Sequence, residues 1–278
     1  MKQLFVTSAL IAATVLTAAA QDFKMPAPSP TTNITQDFST SKIEINYSRP
    51  AIRNRVIFGE LVPYGKVWRT GANSATKLTF GEDVNMAGKQ LKAGTYALYT
   101  IPSEKEWKVI INTGVSNWGV SGFDDKDDVI AFSVPVQKTS ETVQSFTISI
   151  DNITINSADI TMAWENTKVV IPIKADNNDR IVQHLEKELQ GEKPPFQQAA
   201  NYFLETNQQL EKAAAYADKA IDANPDAFYL YWLKARILDK QGKHQEAIAA
   251  AQKAADSAAS TPYAEEYKGH LKELQKGK

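Results

Sequence analysis

Cysteine is absent from the 278-residue chain. That gap removes disulfides, thiolate nucleophiles and cysteine-bound zinc together. Histidine is nearly as scarce, and His184, His244 and His270 all lie in the last third. A serine–histidine–acid triad or a histidine metal site is therefore excluded from everything before Ile181. An excess of charge of either sign is also missing. The formal net charge of −1 gives no field for drawing in a polyanion, which argues against a nucleic-acid partner. After the N-terminal segment no apolar run is long enough to span a bilayer as a helix.

Arginine is rare but concentrated. Four of the six, Arg49, Arg53, Arg55 and Arg69, fall in one stretch with Phe58, Tyr64 and Trp68, punctuated by Gly59, Pro63, Gly65 and Gly71. Planar, permanently charged donors beside aromatic rings and tight turns suit two purposes. They can form a cleft that grips a carboxylate, phosphate or sugar by guanidinium forks and stacking faces. They can equally brace loops through backbone carbonyls and local acids, with Trp68 in the core. Asn73, just after Gly71-Ala72, could bond a ligand or its own backbone.

The N-terminus has the form of a processing segment. Lys2 precedes an apolar core from Leu4 to Thr17, and Ala18-Ala19-Ala20 gives a small-residue cleavage pattern before Gln21. The expectation is a cleaved signal over 1–20 and an exported protein, periplasmic or extracellular, of Gram-negative type. With no cysteine to follow it, a lipoprotein anchor is excluded. Residues 21–38 read as a linker, since Pro26, Pro28 and Pro30 alternate with small polar residues.

From Ile43 to Lys174 the apolar period is two. Phe146, Ile148 and Ile150 alternate, as do Ile160, Met162 and Trp164, then Val169, Ile171 and Ile173, and Trp107, Val109 and Ile111. Met86-Ala87-Gly88-Lys89 and Glu165-Asn166-Thr167 read as turns between strands. This rhythm predicts an all-β antiparallel sandwich, or a barrel-like closure, over 39–175. A long loop, Asn112–Asp128, interrupts it with three glycines, Trp118, Phe123 and an acidic tip at Asp124, Asp125, Asp127 and Asp128. Trp118 either anchors the loop or offers a stacking platform. The tip lacks the twelve-residue grammar of a calcium loop and reads as a solvated turn.

The runs IFGELVPYGKVWRTGANSAT, GKQLKAGTYALYTIP, EWKVIINT and NWG, in that order, resemble the bacterial "domain of unknown function 2911" family over roughly Ser39 to Ala175. The shared positions include Arg49, Gly59, Tyr64, Trp68, Arg69, Asn73 and Trp118. The resemblance implies a secreted, mostly β domain and carries no activity with it.

After Asp176 the period becomes helical, which predicts an all-α domain over 178–278. Residues 194–225 and 228–259 superimpose at a shift of 34: Ala213 falls on Ala247, Ala217 on Ala251 and Ala220 on Ala254. That is the tetratricopeptide period, with alanines where paired helices approach closely. Thr261 and Pro262 read as the cap and first residue of a final helix.

Together these readings predict a secreted, non-enzymatic two-domain binding protein. Arg49, Arg53, Tyr64, Trp68, Arg69, Asn73 and Trp118 would form a cleft for a small anionic or sugar ligand, without a cofactor, and the helical repeats would dock a protein. The alternative is a carboxylate-dependent hydrolase acting on carbohydrate or cell-envelope material, pairing Glu60 or Asp83 with an aspartate of the 124–128 tip.

Overall fold

The computed structural model describes residues 25–277. The expected signal segment lies outside them. Nine strands come first: β1 (Thr31–Phe38), β2 (Ser41–Ser48), β3 (Ala72–Phe80), β4 (Val84–Met86), β5 (Lys89–Leu91), β6 (Gly94–Pro102), β7 (Glu106–Asn112), β8 (Asp128–Asp151) and β9 (Ser157–Ala175). They form one sheet in the order β1-β2-β3-β6-β7-β8-β9-β4-β5, antiparallel throughout.

β1 corrects the linker expectation. Of the described part of that stretch, only residues 25–30 stay outside the sheet. Thr31–Phe38 pairs in full register with β2, from Thr31 opposite Ser48 to Phe38 opposite Ser41. It was hidden in the sequence because an edge strand with one wet face needs few apolar residues.

β8 decides the architecture. Its first part, Asp128–Pro135, pairs with β7, and Val136–Asp151 pairs with β9. The sheet then curls until the continuation of β2 reaches β8. Ile52 N donates to Gln144 O (2.8 Å), Phe146 N donates to Pro50 O (2.9 Å), and the Tyr47 hydroxyl bonds the backbone of Ile148 in both directions. The closure is therefore barrel-like along this seam. Glu165-Asn166-Thr167, expected as a turn, sits inside β9 as the partner of a bulge. Glu165 takes φ 55, Thr139–Thr142 loop out opposite, and Asn166 bonds Thr139 O and the Thr142 hydroxyl. The Ala87-Gly88 turn does join β4 to β5, with φ of 49 and 85.

One core fills the curled sheet. Phe58, Trp68, Trp107, Phe146 and Trp164 touch one another at centroid separations of 5.0–6.2 Å. Burying such rings contributes of the order of 1.5–3 kcal/mol each or more, so this cluster anchors the domain.

Six helices follow: α1 (Asn178–Glu188), α2 (Phe196–Glu205), α3 (Leu210–Ala223), α4 (Phe228–Lys240), α5 (His244–Ala258) and α6 (Ala264–Lys276). α3 and α5 start 34 residues apart, and their matched alanines, Ala213, Ala217, Ala220, Ala247, Ala251 and Ala254, are all buried. The final helix differs from expectation by a short step. α6 begins after Tyr263, and the Thr261 hydroxyl closes a turn by accepting from Tyr263 N and donating to Ala258 O. Among the described residues no helix is long and apolar enough to cross a membrane.

The two parts meet through polar groups. Glu82, in the turn between β3 and β4, is only 8% exposed. Its carboxylate accepts from Thr40 N (3.1 Å), Thr40 Oγ1 (2.8 Å), Asn177 Nδ2 and Arg180 Nη2 (3.2 Å). Asn177 and Arg180 belong to the start of α1, so one buried carboxylate ties the β1–β2 turn to the first helix.

Candidate functional site

Between β2 and β3 the chain leaves the sheet for the arginine-rich stretch. Arg53, Asn54, Thr70 and Asn73 adopt left-handed backbone, at φ 50 to 60. Asparagine tolerates this conformation, whereas arginine and threonine need outside support. For Arg53 it comes from Nη2 donating to Pro28 O (2.7 Å). Thr70 shares a hydroxyl contact with Thr100 (3.1 Å) and its carbonyl accepts from Thr76 Oγ1. Gly71 cannot be replaced cheaply, because a Cβ there would lie 3.0 Å from Ser48 O at φ 153. Trp68 is held on both sides: its backbone pairs with Thr100, and its indole Nε1 donates to Gly71 O (3.0 Å).

The result is a cleft of about 480 Å³. Its floor is the outer edge of the aromatic core, at Trp68 and Trp164. Leu61, Val62, Pro63, Val67 and Val120 form the apolar walls, and Ser29 and Asn73 add polar groups. Four cations line it, Arg53, Arg55, Lys66 and Arg69, with no carboxylate among the described residues of the lining. Among the described residues none of the four has an acidic partner within ion-pair distance. Arg55 donates to Ile52 O (3.0 Å) and Ala51 O (2.7 Å), as Arg53 does to Pro28 O. A carbonyl satisfies a donor but leaves the charge uncompensated. Arg69 goes further: its Nε is buried with no acceptor among the described residues. An enclosed donor of that kind costs about 1–3 kcal/mol unless something accepts from it.

Of the seven residues expected at a site, the cleft collects Arg53, Trp68, Arg69 and Asn73. Arg49, Tyr64 and Trp118 lie outside its lining. Arg49 braces the seam, donating through Nε to Phe146 O (3.1 Å) and through Nη2 to Thr147 Oγ1 (2.8 Å). Tyr64 lays its ring over Gly59, and burial, with the charges of Glu104 and Glu165, raises its hydroxyl pKa. Trp118 is 67% exposed. Its loop is pinned beneath by Asn117, which donates to the Tyr99 hydroxyl (3.1 Å) and Gly122 O (3.0 Å). The next residue, Gly119, backs onto Arg69, and a Cβ there would sit 2.9 Å from Arg69 Nη1. The Trp118 loop thus touches the cleft through its glycine and through Val120, while the exposed indole is not part of the lining.

Sequence reasoning did not single out Lys66 or Val120. Lys66 carried a signal, since it lies in the same stretch as the arginines. Val120 carried none beyond its place two residues after Trp118. The acidic tip is a local structure: Asp124 accepts from Lys126 N (3.0 Å) at the head of a short 3-10 turn, Asp125–Asp127. Among the described residues no group of three histidines or carboxylates could hold a metal ion.

A family model described as "Protein of unknown function (DUF2911)" matches residues 29–173, just over half of the chain. The chain belongs to the DUF2911 family. The DUF2911 match starts two residues ahead of β1 and ends within β9, so it coincides with the β domain and leaves the helices outside. Every cleft residue except Pro28 falls within the DUF2911 segment. No curated protein and no solved structure matches the chain.

Proposed function

We propose that this DUF2911 protein is an exported binding protein whose β domain holds a small anionic ligand in the cleft at the β2–β3 crossing. The observation that carries this reading is the cleft's charge: Arg53, Arg55, Lys66 and Arg69, with no lining carboxylate among the described residues. Four like charges around one cavity repel one another, and an anion that pairs with them relieves that repulsion. Anions are favoured over neutral sugars because Trp68 and Trp164, the aromatic residues of the lining, are only 8% and 1% exposed and offer little stacking face. The exposed Trp118 is not in the lining. A carboxylate-pair hydrolysis would need an acid to supply the proton, and the described lining holds none. Export rests on the apolar N-terminal segment. The helical hairpins, with their 34-residue spacing, serve as the tetratricopeptide-like protein-docking part.

The test is a thermal-shift panel of inorganic phosphate, glycerol phosphate, citrate and galacturonate against glucose and maltose, followed by calorimetric titration. An anion is expected to stabilise the protein and the neutral sugars are not. Arg69→Lys keeps the charge but loses the planar fork, so affinity should fall about tenfold, or about 1.4 kcal/mol, while the melting temperature without ligand holds. Stabilisation by no anion in the panel, or equal affinity in wild type and Arg69→Lys, refutes this assignment.

A further inference from the structure

The surface around the cleft is arranged in an unusual order. Large apolar side chains crowd its mouth: Leu61 and Val120 belong to the lining yet are about half exposed, at 44% and 47%. Val56, next to Arg55, is 50% exposed, and its carbonyl accepts from Leu61 N, which places the two side by side. Trp118 adjoins through Gly119, the residue that abuts Arg69. Among the described residues its indole makes no aromatic contact with another ring, unlike the core tryptophans.

Cations and exposed apolar side chains therefore lie together at this cleft. The core of a protein–protein interface is instead depleted in charged residues. Cations set beside an exposed tryptophan and exposed aliphatic side chains fit a bilayer. The phosphate of an anionic lipid lies at headgroup level, and indole and short aliphatic groups favour the layer just beneath it. Lysine and arginine add attraction to a negative leaflet.

We propose that this face docks on an anionic lipid bilayer, with one lipid phosphate in the cleft and Trp118, Val120, Leu61 and Val56 in the interfacial layer. The proposal rests on the reading of the cleft as an anion site and names the source of the anion. The apolar groups are few and set on loops, so docking is peripheral and reversible.

The experiment uses the full chain without its first twenty residues and two vesicle types, phosphatidylcholine alone and equimolar phosphatidylcholine with phosphatidylglycerol. Glycerol phosphate in solution serves as the soluble headgroup. Co-sedimentation should show binding to the anionic vesicles, at least about tenfold weaker binding to neutral ones, and a steep loss with added salt. Tryptophan emission should shift to the blue on the anionic vesicles, because Trp118 is the exposed indole. Trp118→Ala should reduce vesicle partitioning about tenfold and leave glycerol phosphate binding unchanged. Arg69→Lys should weaken both. Binding of glycerol phosphate without binding of anionic vesicles overturns the bilayer proposal and leaves the anion cleft standing. Loss of both overturns the two together. Equal binding to neutral and anionic vesicles, or unchanged vesicle binding in a folded Trp118→Ala variant, also overturns the proposal.

Discussion

Removing one charge from Glu82 tests how the two domains are joined. In Glu82→Gln the shape is kept, but one carboxylate oxygen becomes an NH₂. The oxygen called Oε2 accepts from Thr40 Oγ1, Asn177 Nδ2 and Arg180 Nη2, while Oε1 accepts from Thr40 N. The amide loses least by keeping its oxygen toward the three donors. Its NH₂ then faces Thr40 N, which leaves one buried donor unpaired and weakens the other bonds by removing their charge. An orphaned buried donor costs about 1–3 kcal/mol and lost charge assistance adds to it, so about 2–3 kcal/mol is expected. Arg180→Ala provides the contrast. Its side chain is 65% exposed, so water screens the ion pair and its loss should cost no more than about 1 kcal/mol. Urea unfolding of wild type and both variants, with limited proteolysis at Asp176–Asn178, measures the difference. Glu82→Gln should unfold at lower urea and be cut faster between the domains. If Arg180→Ala is as damaging as Glu82→Gln, the ion pair carries the junction and the argument from buried hydrogen bonds is wrong.

Ala247→Leu forces three extra carbons into a fully buried helix contact and should cost about 1–3 kcal/mol by overpacking. Ala213→Leu should do the same one repeat earlier, and wild-type helical melting in both variants would remove the packing role of the matched alanines. The hydroxyls of Tyr64, Tyr96, Tyr99, Tyr202 and Tyr267 are all raised above 10.0, with burial the leading cause in each. The unfolded chain therefore ionises first, so stability is whole below pH 10 and declines as the pH rises through the folded values. Tyr99 is fully buried, and Tyr99→Phe should lessen this alkaline loss; an unchanged decline from pH 9 to 11 would count against it.

The parts of the fold that announce themselves in the sequence are those with one dry face. Ile160, Met162, Trp164, Val169, Ile171 and Ile173 alternate in the chain and are all buried in β9. β1 escaped notice because its partner, β2, supplies the burial. Glu165-Asn166-Thr167 looked like a turn because polar triplets are equally good at bulges, and only the opposite strand distinguishes the two. The site was half legible for a similar reason. Local composition marked the stretch, but Arg49 finds its acceptors 97 and 98 residues away, at Phe146 and Thr147. No local pattern could tell that brace from the guanidiniums of the cleft. Trp118 was open between anchor and platform, and its exposure, together with the pinning of its loop by Asn117, makes it neither an anchor nor part of the lining.

The seam between β2 and β8 also sets an order of events during folding. Tyr47 meets Ile148 across 101 residues, just before the arginine-rich crossing begins. Contacts so distant in sequence close slowly, because the loop entropy is spent before the contact is gained. The helical hairpins, whose contacts are local, are made last but should form quickly once made. A nascent or truncated chain ending before Asp128 would hold most of the arginines and tryptophans of the cleft without β8, the strand that gives them a shape. The open edges of β7 and the β2 continuation would then be free to pair with another chain, so the time between making Arg49 and making Ile148 is when this protein is most exposed to aggregation.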